Sequence, residues 1–536
     1  MYEDFDAAMK TAGQAFKAVK YIFKGGAAVA HGLSNGKRAD KQSIGKIVLQ
    51  FFLGYLVWGI LMGICSLFVA TSSNPYSILI FEGVAILALL AWLAYSIYRI
   101  VKAVQHNSLV KNYGDILNAP PELVSDTPSG IIFGRVSGKK NFAYIRKPES
   151  LDGHVLVVGG VGSGKSSCVA IPSLLAWNQS VFAIDIKGEL YAKTKEQRPH
   201  IKVFSPLEEA SCGYDPFFTL HTSDNIGQDA RAIALAIIPL PPETKDPFWI
   251  ENAQNIFTAA ILHYSAQNYT FLDTIRQIQS TTPKTLITEL CSSPELEARY
   301  CVNSLADMDD KTLSSIMAEL SRNIVHFLTD KNLSSALSRE SNITPQDLKF
   351  GNDVYINIPE HLLRQWKSLL TLIVNQFLTY FEQRKEERAK PILFLLDEFP
   401  RLGKVSAMLD GLATLRSKKI VICLIIQSLA QLDAIYGHDE RKVISDTCAY
   451  KAILGATDAD TQEYFSRLVG TYDKQVTSTG THREAYTGIG KSTSTHISEI
   501  EKRIIKPEEF GRLTDIVLLT PYGYSRVEKA AYYQGE

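Results

Sequence analysis

The chain has 536 residues, of which 46% are hydrophobic and 21% are charged, and this composition excludes an intrinsically disordered protein. Lysine plus arginine and aspartate plus glutamate number 56 each, so the formal net charge of zero neither favours nor excludes a nucleic-acid partner. The seven cysteines form no CxxC pair, which is typical of free thiols in a reducing compartment.

The first 43 residues carry apolar side chains at helical spacing, among them Phe5, Met9 and Phe16, with lysines between them. This pattern predicts a cytoplasmic amphipathic segment over 1–43. Two readings stay open, because a cationic helix lying on membrane lipid and a helix packed on a neighbour share the same pattern.

Two apolar runs follow, at 44–70 and 77–100, and Glu82 is the only acidic residue in either. Each run has about the 20 residues that span a bilayer. Basic residues precede the first run and follow the second, which by the positive-inside rule places both ends in the cytoplasm. We therefore expect a transmembrane hairpin over 44–106 in a multi-pass inner-membrane protein. The alternative is a pair of buried helices in a soluble protein.

Residues 107–150 read as a connector, with short strands expected at 131–133 and 142–145. Beyond it, apolar runs recur in the manner of buried parallel strands, separated by helical stretches. The runs are VLVV (155–158), VFAIDI (181–186), IKVF (201–204), VYINI (354–358), ILFLLDE (392–398), IVICLIIQ (420–427), YKAILGA (450–456) and DIVLLT (515–520).

This rhythm stops between Asp215 and Pro345, where apolar residues fall on helical stripes. The fold class is therefore predicted as α/β, with a nucleotide-binding domain over 151–244 and 346–536 and an all-helical domain over 245–345. Residues 476–496 are rich in Ser, Thr and Gly, and predict a mobile loop.

The segment VLVVGGVGSGKSSC (155–168) contains the phosphate-binding pattern GxxxxGK[ST] directly after a strand. Glycines allow backbone N–H groups to surround a triphosphate, the lysine reaches the terminal phosphates, and the hydroxyl of Ser166 ligates Mg²⁺. The alternative is a flexible Gly-Ser turn that matches the pattern by chance, but such a turn would have no reason to follow a strand. We expect ATP or a related nucleotide to bind with Mg²⁺ at Gly159, Gly162, Gly164, Lys165, Ser166 and Ser167.

A second nucleotide motif is ILFLLDEFPRLGK, in which a buried strand ends at Asp397 and Glu398. We expect Asp397 to hold Mg²⁺ through water and Glu398 to polarise the attacking water as a general base. Asp185 and Lys187 end another strand, and either support this site or form an ion pair in a turn.

These motifs, together with AIDIKGELY (183–191), YDPF (214–217), DPFW (246–249) and QSLAQLDAIYG (427–437), resemble the coupling proteins of type IV secretion and bacterial conjugation. The resemblance runs from the apolar hairpin to KPEEFGRLTDIVLL (506–519). It implies a RecA-like P-loop NTPase domain with an all-helical insertion, anchored in the inner membrane and assembled as a hexameric ring. It also implies an ATPase that recruits relaxase-bound single-stranded DNA or effector proteins, directly or through an adaptor, and drives them into the secretion channel.

The resemblance also implies roles for single residues. Gln427 matches the family's sensor for the terminal phosphate, and Arg416 matches an arginine finger that acts on the adjacent subunit's nucleotide. For Arg416 the alternative is a solvated helix end beside Lys418 and Lys419. Trp249 stands where the family's helical domain begins and is expected in the core.

The turn between the two apolar runs is very short, whereas many members of this family carry a longer extracytoplasmic portion there. Two other functions compete with a secretion pump. One is a DNA translocase of the FtsK kind, although the expected additional spans, long linker and winged-helix domain are missing from the pattern. The other is a nucleotide-gated receptor that docks cargo without mechanical work, which would not need the hydrolytic Glu398.

Overall fold

The structure, a computed structural model, describes residues 123–137, 142–221, 223–241, 244–385, 389–483 and 491–534. All of them belong to one compact unit, Asp115–Glu536. No helix within these ranges combines the length and the apolar composition that a membrane span requires. The expected amphipathic segment (1–43) and transmembrane hairpin (44–106) lie outside the described residues and stay predictions.

A small antiparallel sheet comes first in the described chain. It consists of β1 (Val124–Ser125), β2 (Ile131–Ser137) and β3 (Phe142–Lys147), in the order β1-β3-β2. Both strands expected within the connector are therefore confirmed. Ile131, Ile132 and Phe133 are fully buried, so this sheet packs on the rest of the unit.

The other strands are β4 (Val155–Val158), β5 (Val181–Asp185), β6 (Ile201–Phe204), β7 (Asp353–Asn357), β8 (Ile392–Leu396), β9 (Ile420–Ile426), β10 (Tyr450–Ile453), β11 (Thr471–Arg483), β12 (Lys491–Arg503), β13 (Ile516–Thr520) and β14 (Gly523–Val527). A nine-stranded sheet has the order β14-β13-β10-β4-β9-β8-β5-β7-β6. All eight apolar runs predicted as strands lie in it.

The strands from β10 to β6 run parallel to their neighbours. β13 is antiparallel to β10, and β14 is antiparallel to β13. The sheet is therefore mixed, and the expectation that DIVLLT joins a purely parallel sheet is wrong. A tight connection between β13 and β14 makes this edge a hairpin, which only antiparallel strands can form.

The helices are α1 (Ile171–Ala176), α2 (Glu189–Thr194), α3 (Ile226–Ile237), α4 (Phe248–Ser265), α5 (Phe271–Ser280), α6 (Pro283–Cys291), α7 (Leu296–Val302), α8 (Asp310–Ile324), α9 (His326–Thr329), α10 (Lys331–Ala336), α11 (Pro345–Lys349), α12 (Leu363–Glu382), α13 (Met408–Thr414), α14 (Leu429–Thr447) and α15 (Ala459–Val469). The ring of Phe377 on α12 packs on Phe182 of β5 at 4.7 Å between centroids, and Phe182 packs on Phe394 of β8 at 4.9 Å. These aromatic rings fix α12 against the centre of the sheet.

Helices α3 to α11 lie between β6 and β7, in the part of the chain where strands were not expected. The stripe on α4 is buried as predicted, including Ile256, Phe257 and Ile261. The first of these helices begins at Ile226, and α3 packs against both α4 and α12. The domain boundary at 245 therefore stays a prediction.

Trp249 does not lie in the core. Its side chain is 36% exposed at the start of α4 and packs edge-on against Phe248, at 5.0 Å between ring centroids. The expectation of a core residue is wrong because the stripe of α4 that faces the interior begins only at Ala253.

The predicted loop at 476–496 is also largely wrong. β11 and β12 pair antiparallel with an unbroken register, from Thr471 opposite Arg503 to Arg483 opposite Lys491. Threonine is β-branched and favours extended backbone, and this preference prevails over the glycines that suggested a loop.

His154 ties three elements together at the amino end of the central strands. It precedes β4, its Nδ1 accepts the N–H of Ile422 on β9 at 3.0 Å, and its Nε2 donates to the carbonyl of Leu412 on α13 at 3.0 Å. The ring must therefore be neutral. Burial lowers the pKa of His154 to about 4, and the positive charges of Lys147 and Arg416 act in the same direction.

We predict that His154→Gln reduces the loss of stability on acidification. Unfolded histidine takes up a proton near pH 6.5 but the folded residue only near pH 4, so the free energy of unfolding falls as pH drops through this window. The contribution between pH 7 and pH 5 is about 2 kcal/mol. Denaturant unfolding at both pH values measures it. His438→Gln, at an exposed position, should behave as the wild type. If His154→Gln loses as much free energy of unfolding between pH 7 and pH 5 as the wild type does, the assignment to His154 is contradicted.

Candidate functional site: a phosphate-binding loop beside paired carboxylates

The loop after β4 has the backbone shape that its glycines allow. Gly162 and Gly164 have φ values of 75° and 96°, where side chains are strained, and a Cβ on Gly159 would lie 2.3 Å from Ser163 Oγ. The N–H of Gly159 donates to the carbonyl of Ile426 on β9 at 3.1 Å. The loop is therefore fastened to the neighbouring strand at its start and leads into a helical turn at Ser166–Ala170.

The Lys165 ammonium group folds back onto this loop. It donates to the carbonyls of Gly159 at 2.7 Å and Gly160 at 3.2 Å. Burial lowers the pKa of Lys165, while the nearby carboxylates of Glu398 and Asp397 oppose this shift. Ser166 and Ser167, the other predicted ligands in the loop, are half-buried beside it.

Asp397 and Glu398 follow β8 and are both buried. The N–H of Glu398 donates to Asp397 Oδ1 at 3.1 Å. Burial raises the pKa of Asp397 to about 6, and the charges of Glu398 and Asp185 add to the shift. Glu398 has φ 49° and ψ 41°, a left-handed conformation that costs a non-glycine residue about 1 kcal/mol and is found at functional sites.

Gln427, at the end of β9, holds the Glu398 carboxylate. Its Nε2 donates to both carboxylate oxygens, at 3.1 Å and 2.9 Å. The N–H of Gln427 in turn donates to the side chain of Gln431 at 3.2 Å. The residue expected to sense a phosphate thus orients the expected general base in this structure, a contact that the sequence does not reveal.

Asp185 ends β5, the strand beside β8. Its Oδ2 accepts the N–H of Tyr191 at 2.8 Å, while its buried Oδ1 finds no hydrogen-bond partner within the described ranges. Burial raises the pKa of this carboxyl. Lys187, two residues further, is exposed at the same end of the strands.

Arg416 does not join this group. It is exposed in the turn between α13 and β9, at the amino end of the strands, and its carbonyl accepts the N–H of Lys419 at 3.2 Å. Lys165, Asp397, Glu398 and Gln427 lie at the carboxyl end. The structure therefore gathers the predicted site residues of one chain except Arg416.

The residues fit a magnesium ion. The Ser166 hydroxyl, the buried Asp397 carboxylate and the unpartnered oxygen of Asp185 are hard oxygen donors, which Mg²⁺ prefers. In the described residues no group of three or more His, Cys, Asp or Glu could hold a metal by itself. A magnesium ion bound with a triphosphate needs only one or two protein ligands.

A further side chain reaches the loop from a distance of 366 residues in the sequence: Lys529 Nζ donates to the Ser163 carbonyl at 2.9 Å. No local pattern marks Lys529, and only the fold shows this contact.

The glycine-rich loop after β4, with β9 between it and the carboxylate strand β8, defines a RecA-like P-loop NTPase fold. A family model described as "Type IV secretory system Conjugative DNA transfer" matches residues 117–536. The chain belongs to this family.

Comparison with known sequences gives the same family. The chain is 27% identical over 423 residues to VirD4 of Agrobacterium fabrum, covering 75% of this chain and 62% of that protein. It is 26% identical over 454 residues to the conjugal transfer protein TraG of Escherichia coli, covering 77% and 69%. The chain thus spans about three-fifths of the length of VirD4.

Solved structures show the same fold. The bacterial conjugative coupling protein TrwB lacking its N-terminal part, in complex with sulphate, matches with a TM-score of 0.59 at 17% identity, covering 79% of this chain and 91% of that chain. TrwB in complex with the non-hydrolysable ATP analogue ADPNP matches with a TM-score of 0.58, also at 17% identity, covering 79% and 92%.

We predict that Asp397→Asn stabilises the nucleotide-free protein at neutral pH. The folded pKa of about 6 exceeds the ordinary value of 3.8, so the native state binds more protons in this window and stability falls as pH rises through it. The amide removes this cost, about 3 kcal/mol. Denaturant unfolding at pH 7.5 and pH 4 without nucleotide should show a gain at the higher pH that shrinks at the lower. Asp410→Asn, at an exposed position, should show no such gain. A pH-independent effect of Asp397→Asn contradicts the prediction.

Proposed function

We propose that this chain is a membrane-anchored ATPase that recruits substrates and drives them into a type IV secretion channel. The observation that carries the proposal is the assembly of Lys165, Asp397, Glu398 and Gln427 at one sheet edge in a member of this family. A protein that only bound nucleotide would not need a buried, strained glutamate whose carboxylate is held by an amide.

The side chains divide the chemistry of hydrolysis. The Lys165 ammonium exchanges its two loop carbonyls for the terminal phosphates, which are stronger partners for a charged donor. Glu398, held by Gln427, accepts the proton of the attacking water. Ser166 and Asp397, with Asp185 beside them, would hold Mg²⁺, which neutralises developing charge on the phosphates when bound. Structures of TrwB with ADPNP and with ADP and Mg²⁺ support ATP and Mg²⁺ as the molecules that bind.

Arg416 is placed to act on the nucleotide of a neighbouring subunit rather than on that of its own. It is exposed and lies at the opposite end of the strands from Glu398. A guanidinium group placed there reaches a phosphate only across an interface between copies, as in a ring. We therefore propose a hexamer with Arg416 as an arginine finger in trans, anchored in the inner membrane by the predicted hairpin at 44–106 with both termini cytoplasmic.

The proposed cargo is relaxase-bound single-stranded DNA, effector proteins or both, received directly or through an adaptor. The names of the relatives support DNA transfer: the family is described by conjugative DNA transfer, and TraG is a conjugal transfer protein. The competing function is a receptor that docks cargo without motor activity. Such a receptor would bind nucleotide through the same P-loop contacts, and it would differ from a motor in not turning over ATP.

We expect the full-length protein in nanodiscs to hydrolyse ATP. Lys165→Ala should lose ATP binding, whereas Glu398→Gln should bind ATP but turn over at least about 100-fold more slowly, because only the base is lost. Lys349→Ala is the control, since Lys349 donates to Tyr380 at 2.9 Å away from the loop. Turnover is measured with and without single-stranded DNA.

Three outcomes separate the functions. Hydrolysis that DNA stimulates and both site substitutions remove supports a nucleic-acid pump. Hydrolysis that depends on Glu398 but ignores DNA supports protein cargo. Bound ATP without turnover in an assembled wild-type ring supports the receptor and contradicts the motor.

A finger in trans predicts complementation between two inactive variants. Arg416→Ala alone should lower turnover by about 10³-fold, and Lys165→Ala should abolish it. In mixed rings, an intact loop of the first variant can meet Arg416 of the second, so turnover should rise above that of either variant alone. Mixed rings that remain as inactive as the separate variants contradict the assignment.

A further inference from the structure

The segment 527–534, which begins with the last residue of β14, pairs with β2 of the small sheet and reaches the phosphate-binding loop. Arg135 on β2 and Glu528 exchange two backbone hydrogen bonds, each 2.9 Å long. Ala530 and Ala531 are buried, and the following short helix packs against the turn Ser166–Ala170. The Lys193 ammonium lies over the ring of Tyr532, at 5.8 Å from its centroid. The segment is thus anchored on both sides of Lys529.

Lys529 is half-buried and donates from outside the loop to the Ser163 carbonyl at 2.9 Å. The tip of the loop has few other supports. Val161 is 87% exposed, and a Cβ on Gly162 would meet no atom within 4 Å in the described structure. The N–H of Ser163 donates to the Gly160 carbonyl at 3.2 Å, a contact within the tip itself.

Nucleotide binding removes two of the remaining supports. The Lys165 ammonium donates to the carbonyls of Gly159 and Gly160, and under the proposed function it leaves them for the phosphates. Lys529 donates to the Ser163 carbonyl, which is not one of the two carbonyls that Lys165 holds, so this bond does not depend on where the Lys165 ammonium lies. We infer that Lys529 is a positioning residue that holds the loop in its phosphate-binding shape and links the segment 527–534 to nucleotide occupancy.

This inference rests on the proposed function, because it assumes that the loop binds ATP. Holding the loop reduces the ordering that binding must otherwise impose, so the effect falls on affinity more than on the chemical step. Coupling is reciprocal: if the segment favours nucleotide, bound nucleotide must stabilise the segment.

The test compares the full-length wild type with Lys529→Met, Lys529→Arg and Lys349→Met. Lys349→Met is the matched control, since it removes an ammonium group with one hydrogen bond elsewhere. Titration with a fluorescent ATP analogue should show binding weakened about fivefold to tenfold in Lys529→Met, the size expected for the loss of one typical hydrogen bond. The KM for ATP should rise more than kcat falls. Lys529→Arg, which can still donate, should recover most of the affinity.

Hydrogen exchange of the segment 527–534 in the wild type gives a second measurement, independent of whether Lys529→Met folds well. Exchange should slow when ATP is added. Equal ATP affinity in the wild type and Lys529→Met, a fall in kcat with unchanged affinity, or exchange that ignores ATP would each overturn the inference. A wild type that binds no ATP would instead contradict the proposed function.

Discussion

The site depends on one topological constraint, which is that neighbouring parallel strands end at the same edge of a sheet. β4, β9 and β8 are adjacent, so the loop after β4, Gln427 after β9 and Asp397 after β8 converge although they are far apart in sequence. The N–H of Gly159 bonded to Ile426 at 3.1 Å fastens this convergence in place. His154 does the same at the opposite end of β4 and β9, so the strand that carries the loop is held at both ends.

The residues of the site carry unfavourable electrostatics of their own. Asp397 is buried with a pKa near 6, Asp185 has a buried oxygen without a partner in the described region, and Glu398 has strained backbone angles. Each of these costs stability in the absence of ligand. A cation bound with its phosphates, as proposed, would satisfy the oxygens of both aspartates, and part of the free energy of binding would then come from giving partners to groups that folding leaves without them. Function and stability therefore oppose each other at this edge of the sheet.

The sequence was sufficient for the strands and the helical stripes because burial on both faces leaves continuous apolar runs, as in ILFLL of β8. It was insufficient where local preference and context disagree. Threonine-rich β11 and β12 read as a loop, and Trp249 read as core although it precedes the buried stripe of its helix. The sequence also did not predict that β13 is antiparallel to its neighbour, because an apolar run of five residues has the same composition in either direction.

The motifs identified the site residues by type, but not the contacts between them. The bond from Gln427 to Glu398 spans 29 residues and that from Lys529 to Ser163 spans 366, and neither has a periodic signal. Both hold a group of the site in place: Gln427 holds the Glu398 carboxylate, and Lys529 holds the carbonyl of Ser163 in the loop. One chain contains these supports but presents Arg416 at the far edge. Arg416 lies at the opposite end of the strands from Glu398 in the same chain, so the proposed arginine finger can act only on the phosphates of a second copy.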